Sequence, residues 1–156
     1  LFWGRCLWPL DWGRGVWPFH NEWYWSNGTG LLGDKLFGFN LGMGFGDTSA
    51  ATENCLFYAG GFSKLGRVHF LLDKTNYMRP WLLRDEEGRL DLTLKPVYDR
   101  TTRTKALWVN NCCHQMFGRF YGKARKPSLV SALFCKGIRG ISLGIMKRKE
   151  LQKRRR

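Results

Sequence analysis

Residues 36 to 45 read LFGFNLGMGF. Phe37, Phe39, Leu41, Met43 and Phe45 fall on one parity, and Gly38, Asn40, Gly42 and Gly44 on the other. A strand sends alternate side chains to opposite faces. The pattern therefore predicts a strand with one apolar face and one nearly bare face. Glycine inside a strand marks a bend, a bulge or a close approach by another group. Trp rings from adjacent strands are the expected occupants, or else a tight coil of the sheet, with a ligand as the second choice. Just upstream, NEWYWS (21–26) alternates Trp23 and Trp25 with Glu22 and Tyr24, which reads as another strand. Asn27-Gly28 and Gly33-Asp34 are turn dipeptides. The second is predicted to close a hairpin of 22–32 with 35–46.

The same reading continues along the chain. DTSAATEN (47–54) is a polar loop or bulge leading to a short strand at 55–59. Gly60-Gly61 turns the chain into a strand near 62–72, with Val68, Phe70 and Leu72 on one side. Arg79-Pro80-Trp81 opens another extended segment. After the turn at Asp85-Glu86-Glu87-Gly88, Leu90, Leu92 and Leu94 alternate with Asp91, Thr93 and Lys95. Residues 106–111 and 116–122 read as two more strands. About eight short strands at hairpin spacing, with no long helix, predict an all-β fold, an antiparallel barrel or sandwich.

Composition agrees with this: 19 Gly against 5 Pro, and 8 Trp with 11 Phe to fill a core. The formal net charge of +14 suggests nucleic acid or an anionic surface. Its distribution changes the picture. Residues 1–122 hold 14 Lys/Arg and 11 Asp/Glu, whereas residues 123–156 hold 12 Lys/Arg and one acid, Glu150. The basicity belongs to the C-terminal tail, which is expected to be a strand or two plus a basic helix, or disordered. A nucleic-acid partner is therefore expected only through that tail. The five cysteines include an adjacent pair and no CxxC spacing. They read as buried or incidental thiols of a reducing, cytoplasmic setting. No metal site and no cofactor motif is visible. No apolar run reaches the length of a membrane-spanning helix.

Several blocks carry a family resemblance: DWGRGVWP (11–18), WYW (23–25), FGFNLGMGFGDTSAATEN (37–54), KLG (64–66), MRPW (78–81), LDLTLKPVYDR (90–100) and HQMFGRF (114–120). In this order they resemble the C-terminal portion of the uncharacterised bacterial family named domain of unknown function 2804. The resemblance implies a β-rich, lipocalin-like (calycin-type) fold and no established reaction. It also implies that the chain is a fragment of a larger β domain. It divides the chain into a poorly matched segment 1–10, a β domain 11–122 and a basic tail 123–156. The tail and the first ten residues depart from the family pattern and are expected to be foreign to its fold.

Four groups of residues can carry chemistry. Asp47, Glu53 and Asn54 lie near Thr48, Ser49 and Thr52. Two carboxylates converging in an apolar cavity form an acid/base pair, while an Asx-type turn explains the same residues without function. Asp11 and Arg14, flanked by glycines, can bind a polar headgroup or form a structural ion pair. His114 can line a cavity or be a hydrogen-bonded structural residue; His20 and His69 show no metal-ligand spacing with it. The aromatic set, Trp23 and Trp25 included, suits either a ligand cavity or plain core packing. The leading expectation is binding, with conversion as an extension of it, of a small apolar or amphipathic molecule in a β cavity, with Asp47, Glu53, Asn54 and His114 as polar contacts. The rival is a carbohydrate-binding sandwich with Trp rings on an open face.

Overall fold

The computed structural model describes residues 21–32, 34–44, 46, 52–106, 109–125 and 134–151. Nine strands run through them: β1 (Asn21–Leu32), β2 (Lys35–Met43), β3 (Cys55–Tyr58), β4 (Gly61–Lys64), β5 (Val68–Leu71), β6 (Trp81–Asp85), β7 (Leu90–Ala106), β8 (Val109–Arg125) and β9 (Phe134–Leu151). There is no helix among the described residues. All ladders are antiparallel. Two four-stranded meanders, β1–β4 and β5–β8, are joined by β9, which pairs with β1 on one side and β8 on the other.

The two edges of this sheet are β4 and β5, yet only Leu65, Gly66 and Arg67 separate them in the chain. Four Cα steps span at most about 14 Å. The sheet must therefore curl until its edges nearly meet. They do not pair with each other, so the sheet stays open at that seam. Short cross-links hold the seam region: Leu65 N–H donates to Asn54 O at 2.9 Å, and Arg89 Nη1 donates to Lys64 O at 3.1 Å.

Curling buries one face. Phe37, Phe39 and Leu41 of β2 share that face, as the alternation predicts, and meet Val68, Phe70, Trp81, Leu83, Leu90, Leu92, Leu94, Met116 and Phe120 from the other meander. Tyr24, Phe70 and Trp81 cluster at 6.0 to 6.5 Å between ring centroids. Phe39 packs edge-to-face on Phe120 at 4.9 Å.

On the opposite face, the space above the β2 glycines is filled differently from the expectation. The Phe57 ring lies over Gly38, and the Glu53 carboxylate lies over Gly42. The neighbouring Trp25 donates its Nε1–H to Asn40 Oδ1 at 3.0 Å. Side chains of the flanking strand and loop thus occupy these two sites.

Four boundaries differ from the sequence reading. Asn27-Gly28 is not a turn: it lies inside β1, where Gly28 leaves room for the Phe39 and Phe120 rings. The single strand expected near 62–72 is two strands, β4 and β5, because the chain crosses the seam at buried Leu65. The two strands expected at 106–111 and 116–122 are one, β8, since nothing between them breaks the ladder with β7. The expected tail helix is absent from 134–151, which form β9.

Candidate functional site

The buried face of β8 changes character along its length. Phe120 and Met116 are buried and apolar. His114 and Cys112 follow on the same parity and are half-buried. His114 Nδ1 lies 3.0 Å from Asp99 Oδ2, and its Nε2 lies 3.7 Å from Cys112 Sγ. Thr101 Oγ1 lies 3.0 Å from both Asp99 Oδ2 and His114 Nδ1. Tyr77 packs its ring on the imidazole at 4.7 Å and on Trp81 at 6.3 Å, joining the polar end to the aromatic core. Carboxylate, imidazole and thiol run in a line. Among the described residues, no three or more His, Cys, Asp or Glu side chains gather to hold a metal ion.

Asp99 reaches this face through a β-bulge. Leu90, Leu92 and Leu94 put even-numbered β7 residues on the buried side. The register shifts between Pro96 and Tyr98, so Tyr98 pairs with Phe117 and Asp99 with Met116. One extra residue reverses the parity. Asp99 and Thr101 then face inward beside His114, and Tyr98 and Phe117 face outward, 6.3 Å apart. The ladder through this bulge includes a proline, which has no N–H to donate.

Around the same end, Glu22 Oε1 accepts from Tyr24 Oη at 2.5 Å and from Lys74 Nζ at 2.7 Å. Lys74 Nζ also sits over the Tyr24 ring, 5.7 Å from its centroid. Tyr24 and His114 both have Met146 of β9 as Cα partner. They are therefore two strands apart, about 10 Å across the sheet. Three buried acceptors have no hydrogen-bond partner among the described residues: Asp99 Oδ1 at this site, and the Oδ1 atoms of Asn110 and Asn111 further along β8. Such an orphan is uncommon and calls for an explanation.

The remaining candidates lie elsewhere. Asn54 is 1 % exposed and ties three segments together. Its Oδ1 accepts from Gly42 N–H at 2.6 Å, and its Nδ2 donates to Gly66 O at 2.9 Å. Glu53 is exposed, its backbone carbonyl accepting from Asn40 Nδ2 at 3.3 Å. Trp23 and Trp25 lie on the parity opposite Tyr24; Trp23 is 9 % exposed. None of these four joins His114. His69 is on the outside, 3.2 Å from Glu86 Oε1. Asp11, Arg14, His20 and Asp47 lie outside the described residues. Hydrogen bonds from the Thr75 hydroxyl and amide hold the Asp73 carboxyl below its usual 3.8. Burial pushes the Cys55 thiol above 9.0.

Of the side chains gathered at this end, sequence reasoning singled out His114 but not Asp99, Thr101, Cys112 or Tyr77. The Cys-x-His spacing of 112–114 was the available signal, since i and i+2 share a strand face. Among the described residues, no helix is long and apolar enough to cross a membrane. No curated protein and no solved structure matches the chain. The family model described as Domain of unknown function (DUF2804) matches residues 5–134, ending where β9 begins. On that match, which takes in both meanders, the chain belongs to the domain of unknown function 2804 family.

Proposed function

We propose that the chain binds a small amphipathic molecule at the His114 end of its concave face, on a lipocalin-like curled sheet. The apolar part rests against Tyr77 and the aromatic cluster beyond it. The head group donates a hydrogen bond to Asp99. The orphaned Asp99 Oδ1, at the border of polar and aromatic surface, carries this reading. The near meeting of the two sheet edges supports the lipocalin-like shape. Glu53, Asn54 and Trp25, spent on Gly42, Gly66 and Asn40, have no part in it.

The carbohydrate reading asks for free Trp rings. Trp23 is buried and Trp25 gives its N–H to Asn40, which weighs for the amphipathic ligand. The basic end of the chain, whose residues 134–151 form the central strand β9, is assigned no partner.

The test uses 1-aminoanthracene, a flat apolar probe with an amine donor. Saturable fluorescence enhancement is expected. Asp99→Ala should weaken binding roughly tenfold or more, since hydrogen bonds to charged groups contribute about 1.5–3 kcal/mol. Decylamine should displace the probe better than decanoate, because a carboxylate head meets the Asp99 carboxylate. Unsaturable binding, or equal binding by Asp99→Ala, overturns the proposal.

A further inference from the structure

Among the three cysteines whose surroundings are described, Cys112 differs from the others. Cys55 is buried, and burial disfavours its thiolate. Cys113 falls on the opposite parity of β8. Cys112 is half-buried, with its Sγ 3.7 Å from His114 Nε2. The far ring nitrogen, Nδ1, faces Asp99 Oδ2 at 3.0 Å. A carboxylate at Nδ1 selects the tautomer with its proton there, leaving the Nε2 lone pair toward the sulfur. This is the nucleophile–base–orienting group arrangement of covalent catalysis.

We propose that Cys112 is a nucleophilic thiol that adds to α,β-unsaturated carbonyl compounds, with His114 as its proton acceptor and Asp99 as the positioning residue for the imidazole. In the step, the thiol proton passes to His114 Nε2. The sulfur forms a bond to the β-carbon as the C=C π bond breaks. The electron pair moves onto the carbonyl as an enolate, and the imidazolium returns the proton to the α-carbon. No oxidant, reductant or leaving group is needed.

Conjugate addition fits this site better than acyl transfer. Acyl transfer localises charge on a tetrahedral oxyanion that needs aimed donors, and it must also expel a leaving group, whereas conjugate addition spreads its charge over the enolate and expels nothing. Cys112 lies near the start of β8, paired to β7 at Arg103 and to β9 at Arg148, so the local backbone N–H groups are engaged in ladders. The inference is independent of the ligand proposal, because it requires only thiol, imidazole and carboxylate.

The test is timed labelling of the full chain by N-ethylmaleimide, resolved at peptide level by mass spectrometry in a Cys113→Ser background. Cys112 should label well before Cys55. His114→Asn should slow Cys112 by roughly a hundredfold, the low side of general-base contributions. Asp99→Asn should slow it as well. Cys55 is the internal control, since a variant that unfolds would expose it. If His114→Asn exposes Cys55, the Asp99→Asn comparison decides. Cys112 labelling at the wild-type rate in a variant that keeps Cys55 protected would refute the assignment. So would Cys112 labelling no faster than Cys55 in the parent chain. Neither result bears on 1-aminoanthracene binding, so the two proposals fail separately.

Discussion

Gly28→Ala tests the packing on which the site is built. Gly28 pairs with Phe39 across the β1–β2 hairpin. A Cβ at that position would stand 2.6 and 2.7 Å from two Phe39 ring carbons and 2.9 Å from one of Phe120. Both rings are buried and lock edge-to-face at 84°. They cannot withdraw without disturbing their neighbours in the core. Overpacking of this kind costs about 1–3 kcal/mol. Loss of glycine's unfolded-state entropy returns about 0.4–1 kcal/mol. The net expectation is destabilisation of about 1–2 kcal/mol, or roughly 2–8 °C in Tm for a chain of this size. Urea unfolding followed by Trp fluorescence measures it. Phe39→Leu in the same chain should relieve part of the strain, giving a coupling of about 0.5 kcal/mol or more in a double-mutant cycle. Gly61→Ala is the contrast: its nearest contact is Tyr58 O at 3.6 Å, so a change within about 0.5 kcal/mol is expected. A neutral or stabilising Gly28→Ala would refute the reasoning and return Asn27-Gly28 to the turn that the dipeptide suggests.

Asn54→Ala strands the Gly42 N–H and the Gly66 carbonyl and should cost about 2–4 kcal/mol, at about 1–3 per unsatisfied group, read by urea unfolding. Glu53→Gln, on an exposed side chain, should stay within about 0.5 kcal/mol in the same assay. Asp73 is held below 3.8 by Thr75 in the folded state, so its contribution is present above 3.8 and is lost as pH falls through the lower folded value. Asp73→Asn should flatten that acid limb in a Tm-against-pH series. For Cys55, raised above 9.0, the contribution is full below 9.0 and lost as pH rises through the higher folded value; Cys55→Ser should flatten the alkaline limb.

Period-two alternation made much of the fold legible. Phe37, Phe39 and Leu41 face the core as their spacing requires, and so do Leu90, Leu92 and Leu94. The local signals failed where a long-range partner decided the outcome. Asn27-Gly28 has turn chemistry, but Phe39 and Phe120 need the space of a glycine within the strand. The break between β4 and β5 follows from the curling of the sheet, which no local window contains. Asp99 was beyond reach for a related reason. Its face depends on one bulged residue near Pro96, and its partner His114 lies 15 positions away across a register that only the folded ladder fixes. Glu53 and Asn54 were visible as polar residues, yet their sequence neighbourhood does not reveal that Gly42 and Gly66 occupy them.

Nuclear magnetic resonance of the isotope-labelled chain during titration with 1-aminoanthracene locates the occupied surface most directly. Saturable shifts should concentrate on the His114 imidazole, the Asp99 carboxyl, Tyr77 and Tyr24, and leave the Trp25 indole and the Asn40 amide unmoved. Shifts centred on Trp25, Asn40 and Glu53 would place the ligand on the outer face and contradict the account.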